Sequence, residues 1–242
     1  MINLSERNGK QNFINEIFTD IAGQYDLMND LMSFGIHRLW KEEYIKKIPN
    51  LNATILDVAG GTGDIALRII HKAKSINKTP HIVICDINQD MLKVASDRAI
   101  NNNILHQLDY VCANAEQLPF ASNSFDYYTI AFGIRNIRDI QQVLKEAFRI
   151  LKPTGKFLCL EFSKIENCSL KKLYNFYSFN IIPKIGQIVT GNKDAYNYLV
   201  ESISLFHDQL AFSDMIKDAG FSQVRYQNLT FGVVAIHSGY KL

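Results

Sequence analysis

Short apolar stretches separated by amphipathic ones dominate the chain. Five of them, rich in β-branched and aromatic residues, read as strands: ATILDV (53–58), HIVICDI (81–87), LDYVCA (108–113), YYTIAF (127–132) and KFLCLEF (156–162). Helical spacing of apolar positions fills 64–75, 90–101 and 140–151 between them. Alternation of strand and helix predicts a parallel sheet covered on both faces. Pro153 and Gly155 predict the stop of the helix before the fifth strand. Towards the end, a helix near 209–219, stopped by Gly220, precedes two strands, 222–229 and 232–242. Only a short turn separates that pair, so it is expected to be antiparallel. Ahead of the first strand, residues 13–48 read as helical, with Phe13, Ile17, Ile21 and Ala22 on one face and an apolar cluster at Leu27, Met28, Leu31 and Met32.

The fold class is therefore α/β: a Rossmann-like, seven-stranded, mostly parallel sheet with an antiparallel C-terminal strand pair, helices on both faces and a helical N-terminal extension. No repeat, low-complexity tract or Gly/Ser-rich linker interrupts the 242 residues, which favours one domain. Within it, 1–50 is expected to form a helical lid, 53–163 a cofactor-binding core, and 164–242 substrate-side helices with the final strand pair.

Composition narrows the classes. Hydrophobic residues make up 47% and charged residues 21%, ordinary for a chain with a sizeable core. Lysine and arginine number 26 against 24 acids, a net charge of +2, which gives no case for a nucleic-acid partner. Cys85, Cys112, Cys159 and Cys168 are scattered without a CxxC or Cys/His cluster, so reduced thiols are expected and neither a disulfide frame nor a metal site. The N-terminus shows no export or transit pattern, and no apolar run approaches the ~20 residues that span a bilayer. A cytoplasmic protein, or one peripheral at the inner face of the membrane, is the expectation.

Candidate chemistry starts at DVAGGTGD (57–64), between the first strand and its helix. Gly61, Gly63 and Ala66 satisfy a G-x-G-x-x-G/A dinucleotide fingerprint, so a nicotinamide oxidoreductase has to be weighed. Glycines let the backbone turn tightly beside a ligand, and a helix N-terminus offers amide donors to an anion. That suits a pyrophosphate and an amino-acid carboxylate equally. Asp57, before the loop, would face an anion badly but suits a cationic ammonium. Asp86, at the end of the second strand, is placed to accept from ribose hydroxyls, although a helix cap or solvated turn explains it as well.

YDLMNDLMSFGIHRLW (25–40) and RILKPTGKFLCLEFS (149–163) resemble two signatures of the ubiquinone/menaquinone biosynthesis C-methyltransferases, the UbiE family. Tyr25, Asp26, Met28, Asn29, Ser33, His37 and Trp40 carry the first; Arg149, Lys152, Gly155, Glu161 and Ser163 carry the second. The similarity continues through YSFNIIPKIGQ and DAYNYLVESI and covers nearly the whole chain. Thr154 stands where the family usually has glycine, which matters mainly for the turn. The resemblance implies S-adenosylmethionine-dependent methylation of a ring carbon on a polyprenyl benzoquinol or a demethylmenaquinol. It implies cofactor contacts at Thr62, Asp86, Asn114 and Ala115, the last two meeting the adenine. Ala131 replaces a serine that some members use as a further contact. The wording AFGIRN is closer to the mitochondrial branch, which favours a ubiquinone product.

A ring carbon attacks poorly until its hydroquinol loses a proton. With a tyrosine-like pKa of about 10, reaching neutrality takes roughly 3 units, or about 4 kcal/mol, of preferential anion stabilisation. Arg135, at the end of the fourth strand, is the catalytic candidate, as a stabiliser of the phenolate; arginine stays protonated and is a poor base. The competing reading pairs Arg135 with Glu161 or Asp139 to hold the loop. Tyr25, His37 and Asn136 are expected at the lid and substrate side. The apolar stretch 173–189 suits a prenyl-tail groove, a membrane-contact patch or a dimer interface, and its pattern does not separate them. A non-catalytic scaffold in a quinone-synthesis complex is the remaining alternative.

Overall fold

Successive residues of a strand point to opposite faces, and in the central strands both sets are apolar. The computed structural model describes Asp30, Ser33, residues 35–165 and residues 193–242. In it Ile55, Ile82, Ile84, Leu158 and Leu160 enter one core, while Leu56, Val83, Cys85, Phe157 and Cys159 enter the other. The strands are β1 Thr54–Val58, β2 His81–Asp86, β3 Leu108–Cys112, β4 Phe125–Ala131, β5 Leu151–Phe162, β6 Ser222–Leu229 and β7 Val234–Tyr240. They form one sheet in the order β3-β2-β1-β4-β5-β7-β6. β7 runs against both neighbours, so it is the single reversed strand and the expected terminal pair is present.

Six helices accompany the sheet among the described residues: α1 His37–Ile45, α2 Asp64–Ser75, α3 Gln89–Asn101, α4 Ile140–Ile150, α5 Lys193–Leu205 and α6 Gln209–Asp218. Side chains of α1, α2 and α3 fill the first core; those of α4 and α6 fill the second. Caps follow the sequence locally, with Asn88, Asp139 and Asp208 accepting from backbone N–H groups of α3, α4 and α6. Of the helical reading of 13–48, α1 is the described part; Tyr25 and the stretch 173–189 lie outside the described residues. None of the helices among the described residues is long and apolar enough to cross a membrane.

Tyr44 pins α1 to the middle of the sheet. Its fully buried hydroxyl accepts from the Ile130 N–H (3.1 Å) and donates to the Leu158 carbonyl (2.8 Å), linking β4 to β5. Trp40, one turn earlier, packs on Phe132 and Phe162 and donates to the Thr230 hydroxyl at 2.7 Å. α1 is thereby fixed over the carboxyl ends of β4 and β5.

The fifth strand begins earlier than its apolar pattern suggests. α4 ends at Ile150, and Leu151 already pairs with Phe125, but the next match is Lys156 with Tyr127. The segment between bulges out of the ladder. Lys152 precedes Pro153, which disfavours a helical backbone there. A Cβ on Gly155 would stand 2.7 Å from the Lys152 carbonyl, so only glycine fits. Thr154 adopts φ 67°, a left-handed conformation that a β-branched residue tolerates poorly. Thr154→Gly is therefore expected to stabilise the chain by about 1 kcal/mol, the relieved strain exceeding the entropy that glycine adds to the unfolded state. Denaturant midpoints of the two proteins check this; an unchanged midpoint would mean that the turn carries no strain.

Candidate active site

The order in which strands are added switches sides between the parallel neighbours β1 and β4: β2 and β3 lie to one side of β1, and the later strands lie beyond β4. Open α/β sheets bind ligands at the carboxyl ends of such a switch. Here both strand ends turn in left-handed backbone, Ala59 at φ 50° and Phe132 at φ 56°. They diverge around a close approach, since a Cβ on Gly133 would stand 2.5 Å from Cβ of Ala59. The result is a cleft lined from both strand ends, the usual place of a small-molecule site in such a sheet.

Asp57 forms its floor. The carboxylate is 1% exposed; Oδ1 accepts from the Thr129 hydroxyl at 2.8 Å, and Oδ2 has no hydrogen-bond partner among the described residues. Burial pushes this carboxyl up to about 7, with the neighbouring Asp64 and Asp86 adding to the rise and the Thr129 hydrogen bond opposing it. A half-satisfied buried acid of this kind calls for a cation in the cleft.

The loop after it is built for close approach. A Cβ on Gly60 would meet Ile84 at 2.7 Å, whereas Gly61, at φ 53°, faces open space. Gly63 turns at φ 78° into the start of α2. Asp86 anchors this loop: Oδ2 accepts from the Gly61 N–H (2.8 Å) and Oδ1 from the Asn88 N–H (2.9 Å). Burial raises its carboxyl, and these N–H groups act against the rise. A carboxylate has about four acceptor sites, so room for ligand hydroxyls remains. The N-cap of α3 is Asn88, not Asp86. Thr62 is buried in the wall, and its hydroxyl accepts from Arg98 of α3 at 3.1 Å.

Ala131, Phe132, Gly133 and Asn136 supply the β4 side. Oδ1 of Asn136 accepts from the Tyr198 hydroxyl of α5 at 2.9 Å, which leaves the amide N–H groups for the cleft. Arg135, between Ile134 and Asn136 in a 3₁₀ turn, is not among the lining residues. Its side chain is 4% exposed and that of Glu161 1%, and Nη1 pairs with Oε1 at 2.9 Å. Nη1 also donates to the Phe132 carbonyl and Nε to Ser202, while Nη2 has no partner among the described residues. Burial raises the Glu161 carboxyl, and the Arg135 charge acts against it. Of the two carboxylates considered from sequence, Glu161 rather than Asp139 is the partner; Asp139 caps α4 instead.

Other expected residues are not gathered in. Asn114 and Ala115 do not line the cleft; the Asn114 side chain caps its own turn at the Glu116 N–H (2.9 Å). His37 is also away from the lining, with Nε2 2.8 Å from Asp30 and Nδ1 buried without a partner. Burial and the Lys41 charge hold its imidazole below the usual range in spite of Asp30. Two charged lining residues, Lys41 and Asp64, have no role assigned from the sequence. Lys41, 4% exposed, pairs with Asp64 at 2.6 Å, and Asp64 shares its other oxygen with Arg68. Burial alone would raise Asp64, but these two cations hold it below the usual carboxylate range.

Among the residues lining the cleft, then, three acids face one base, and an open glycine loop leads from the first acid to the ribose-competent Asp86. A cationic amino-acid nucleoside fits this better than a dianionic pyrophosphate. The sequence profile of the ubiE/COQ5 methyltransferase family matches residues 5–241. The chain belongs to that family. It is 59% identical over 235 residues to a curated relative from Rickettsia bellii, "Ubiquinone/menaquinone biosynthesis C-methyltransferase UbiE", covering 97% of this chain and 95% of the relative. Among solved structures, a SAM-dependent methyltransferase from Thermotoga maritima shares the fold at a TM-score of 0.66 and 17% identity, covering 94% of this chain and 99% of that one. A Haemonchus contortus phosphoethanolamine N-methyltransferase, solved with S-adenosyl-L-methionine, shares it at a TM-score of 0.61 and 15% identity, over 83% of this chain and 52% of that one. The chain is an S-adenosylmethionine-dependent methyltransferase, and the oxidoreductase alternative falls away.

The raised Asp57 carboxyl makes the cofactor-free methyltransferase pH-sensitive. Between its ordinary value of 3.8 and about 7, the folded chain keeps a proton that the unfolded chain has released. Stability from this group is therefore present at low pH and lost as pH rises through that window. Asp57→Asn should match the native chain near pH 4 and exceed it at pH 8 by a few kcal/mol, on the order of what such a shift implies. Urea denaturation at both pH values checks it; parallel pH profiles would mean that Asp57 is ionised throughout.

Proposed function

We propose that this methyltransferase C-methylates the ring of a polyprenyl quinol in ubiquinone or menaquinone biosynthesis, with Asp57, Gly61, Thr62, Gly63 and Asp86 holding S-adenosylmethionine. The observation that carries the cofactor assignment is the buried Oδ2 of Asp57, unpartnered among the described residues, at the floor of an acid-rich cleft. When bound, the cofactor supplies an electrophilic methyl group on a sulfonium. The chain's part is to place the acceptor carbon in line and to hold the quinol as its anion. We extend the cofactor contacts to Asn114 and Ala115 only as neighbours beyond the lined part of the cleft.

Asn136 is the side chain of the β4 turn that reaches the cleft, and its amide N–H groups suit a quinol oxygen. Arg135 stands behind it as the electrostatic partner. Glu161 offsets much of the guanidinium charge, so the Asn136 amide makes the direct contact to the phenolate and Arg135 acts from behind through its remaining charge rather than alone. A single domain, 1–242, with its core at 53–163, is part of the proposal, and the profile match over 5–241 supports it. Peripheral contact with the membrane that dissolves the quinol is a further part. Leu39 of α1 and Phe231, in the turn before β7, are 65% and 77% exposed on elements that Trp40 and Thr230 tie together at the carboxyl end of β5.

Incubation with trideuteromethyl S-adenosylmethionine and reduced short-chain demethyl quinols tests the reaction. A benzoquinol or naphthoquinol product carrying CD₃ on a ring carbon is expected; methylation confined to oxygen would overturn it. Testing Arg135 by alanine alone would strand Glu161, a change costing about 3–5 kcal/mol in fold stability. The double variant Arg135→Gln/Glu161→Gln leaves no buried charge. It is expected to bind cofactor normally and to lose turnover by at least about 10²-fold, the scale of one transition-state hydrogen bond. Full turnover would remove Arg135 from the mechanism.

A further inference from the structure

Resting on the methyltransferase reading, we infer that Lys41 of α1 binds the carboxylate of the cofactor's amino-acid end. The argument begins with what a buried ammonium has to satisfy. Lys41 is 4% exposed, carries three N–H donors, and has Asp64 as its one partner among the described residues. Asp64 is itself divided, giving Oδ2 to Lys41 and Oδ1 to Arg68, and Arg68 reaches on to Glu42 at 2.9 Å. Signs alternate along Glu42–Arg68–Asp64–Lys41, and Lys41 is the end that borders the cleft. A shared carboxylate neutralises that end only in part.

The ligand has the matching requirement. Its ammonium and carboxylate sit on one carbon, so an acid that takes the first needs a cation close by for the second. Asp57 is the acid, and Asp64 is near enough to it to act on its charge. Lys41, held by Asp64, is the single basic side chain among the residues lining the cleft. Without it, the carboxylate would enter a cavity lined by Asp57, Asp64 and Asp86. The glycine loop gives backbone donors but no charge.

This assignment also gives α1 a task beyond packing. The helix reaches the sheet through Tyr44 and Trp40 and presents Lys41, one residue after Trp40, to the cleft. The alternative is that the Lys41–Asp64 pair merely ties α1 to α2.

Calorimetry with three thioether ligands separates the two readings without any turnover: S-adenosylhomocysteine, its methyl ester and methylthioadenosine. The native protein should bind the acid about 10- to 100-fold more tightly than the ester, the range of a charge-assisted hydrogen bond. Lys41→Met should lower affinity for the acid to that of the ester and leave ester and methylthioadenosine unchanged. If the methionine variant does not fold, Lys41→Arg and Lys41→Gln decide. Arginine is expected to keep the preference for acid over ester and glutamine to lose it. Equal weakening of all three ligands, or an acid preference surviving in the glutamine or methionine variant, would overturn the assignment. Native protein that binds none of the three would instead strike at the cofactor reading itself.

Discussion

A carboxylate buried with one oxygen unsatisfied is the constraint around which this molecule is arranged. Asp57 is the penultimate residue of β1, inside the sheet, and its Oδ1 is already taken by Thr129 of β4. Burial disfavours the charged form, so the free chain holds a proton until about pH 7. The backbone around it is bent to keep the space in front open. Ala59 and Phe132 turn left-handed, and Gly60 and Gly133 sit where any side chain would collide. Strain of this kind is characteristic of sites where a ligand completes the packing.

The same reasoning extends outward. Asp86 would be another liability if it did not tie down the loop through two backbone N–H groups. Thr62 is fixed from the far side by Arg98, so the loop is gripped by β2 and α3 together. On the β4 side, Tyr44 bridges the strands, and Glu161 clamps the 3₁₀ turn through both the backbone N–H and the guanidinium of Arg135. The loops that line the cleft are therefore tied to strands and helices on both sides, which is what positioning chemistry demands.

Much of this was legible from residue order, and the reason is locality. The strands β1 to β4 announce themselves by unbroken apolar runs, and the glycine loop and its two acids follow directly from strand ends. Signals that depend on distant partners were not legible. Lys41 and Asp64 are 23 residues apart and each looks like an ordinary surface charge; only the docking of α1 on α2 makes them a buried pair. Tyr198 belongs to a helix whose apolar positions give no hint that its hydroxyl ends on Asn136. The early start of β5 was hidden by Pro153 and Gly155, which mark a turn without saying that it lies inside a strand. Asn114 and Ala115 came from resemblance, not from any local pattern, and the described cleft does not extend to them.

The arginine in AFGIRN shows how far a single residue can be judged before its neighbours are known. A cation at a strand end beside a cofactor site suggests an anion stabiliser, and a paired cation suggests a loop clamp. The pairing is what the structure holds, and the stabiliser role proposed for Arg135 is compatible with it, because a guanidinium has five donors in a planar fork and Glu161 takes only one side of it. Lysine could not divide itself this way: one compact ammonium would be consumed by the glutamate. Histidine would lose its proton on burial. The pair costs desolvation, but Glu161 keeps the guanidinium oriented while the opposite edge, Nη2, stays unspent among the described residues. An arginine held by a buried glutamate thus keeps one orientation in the same 3₁₀ turn that carries Asn136 to the cleft.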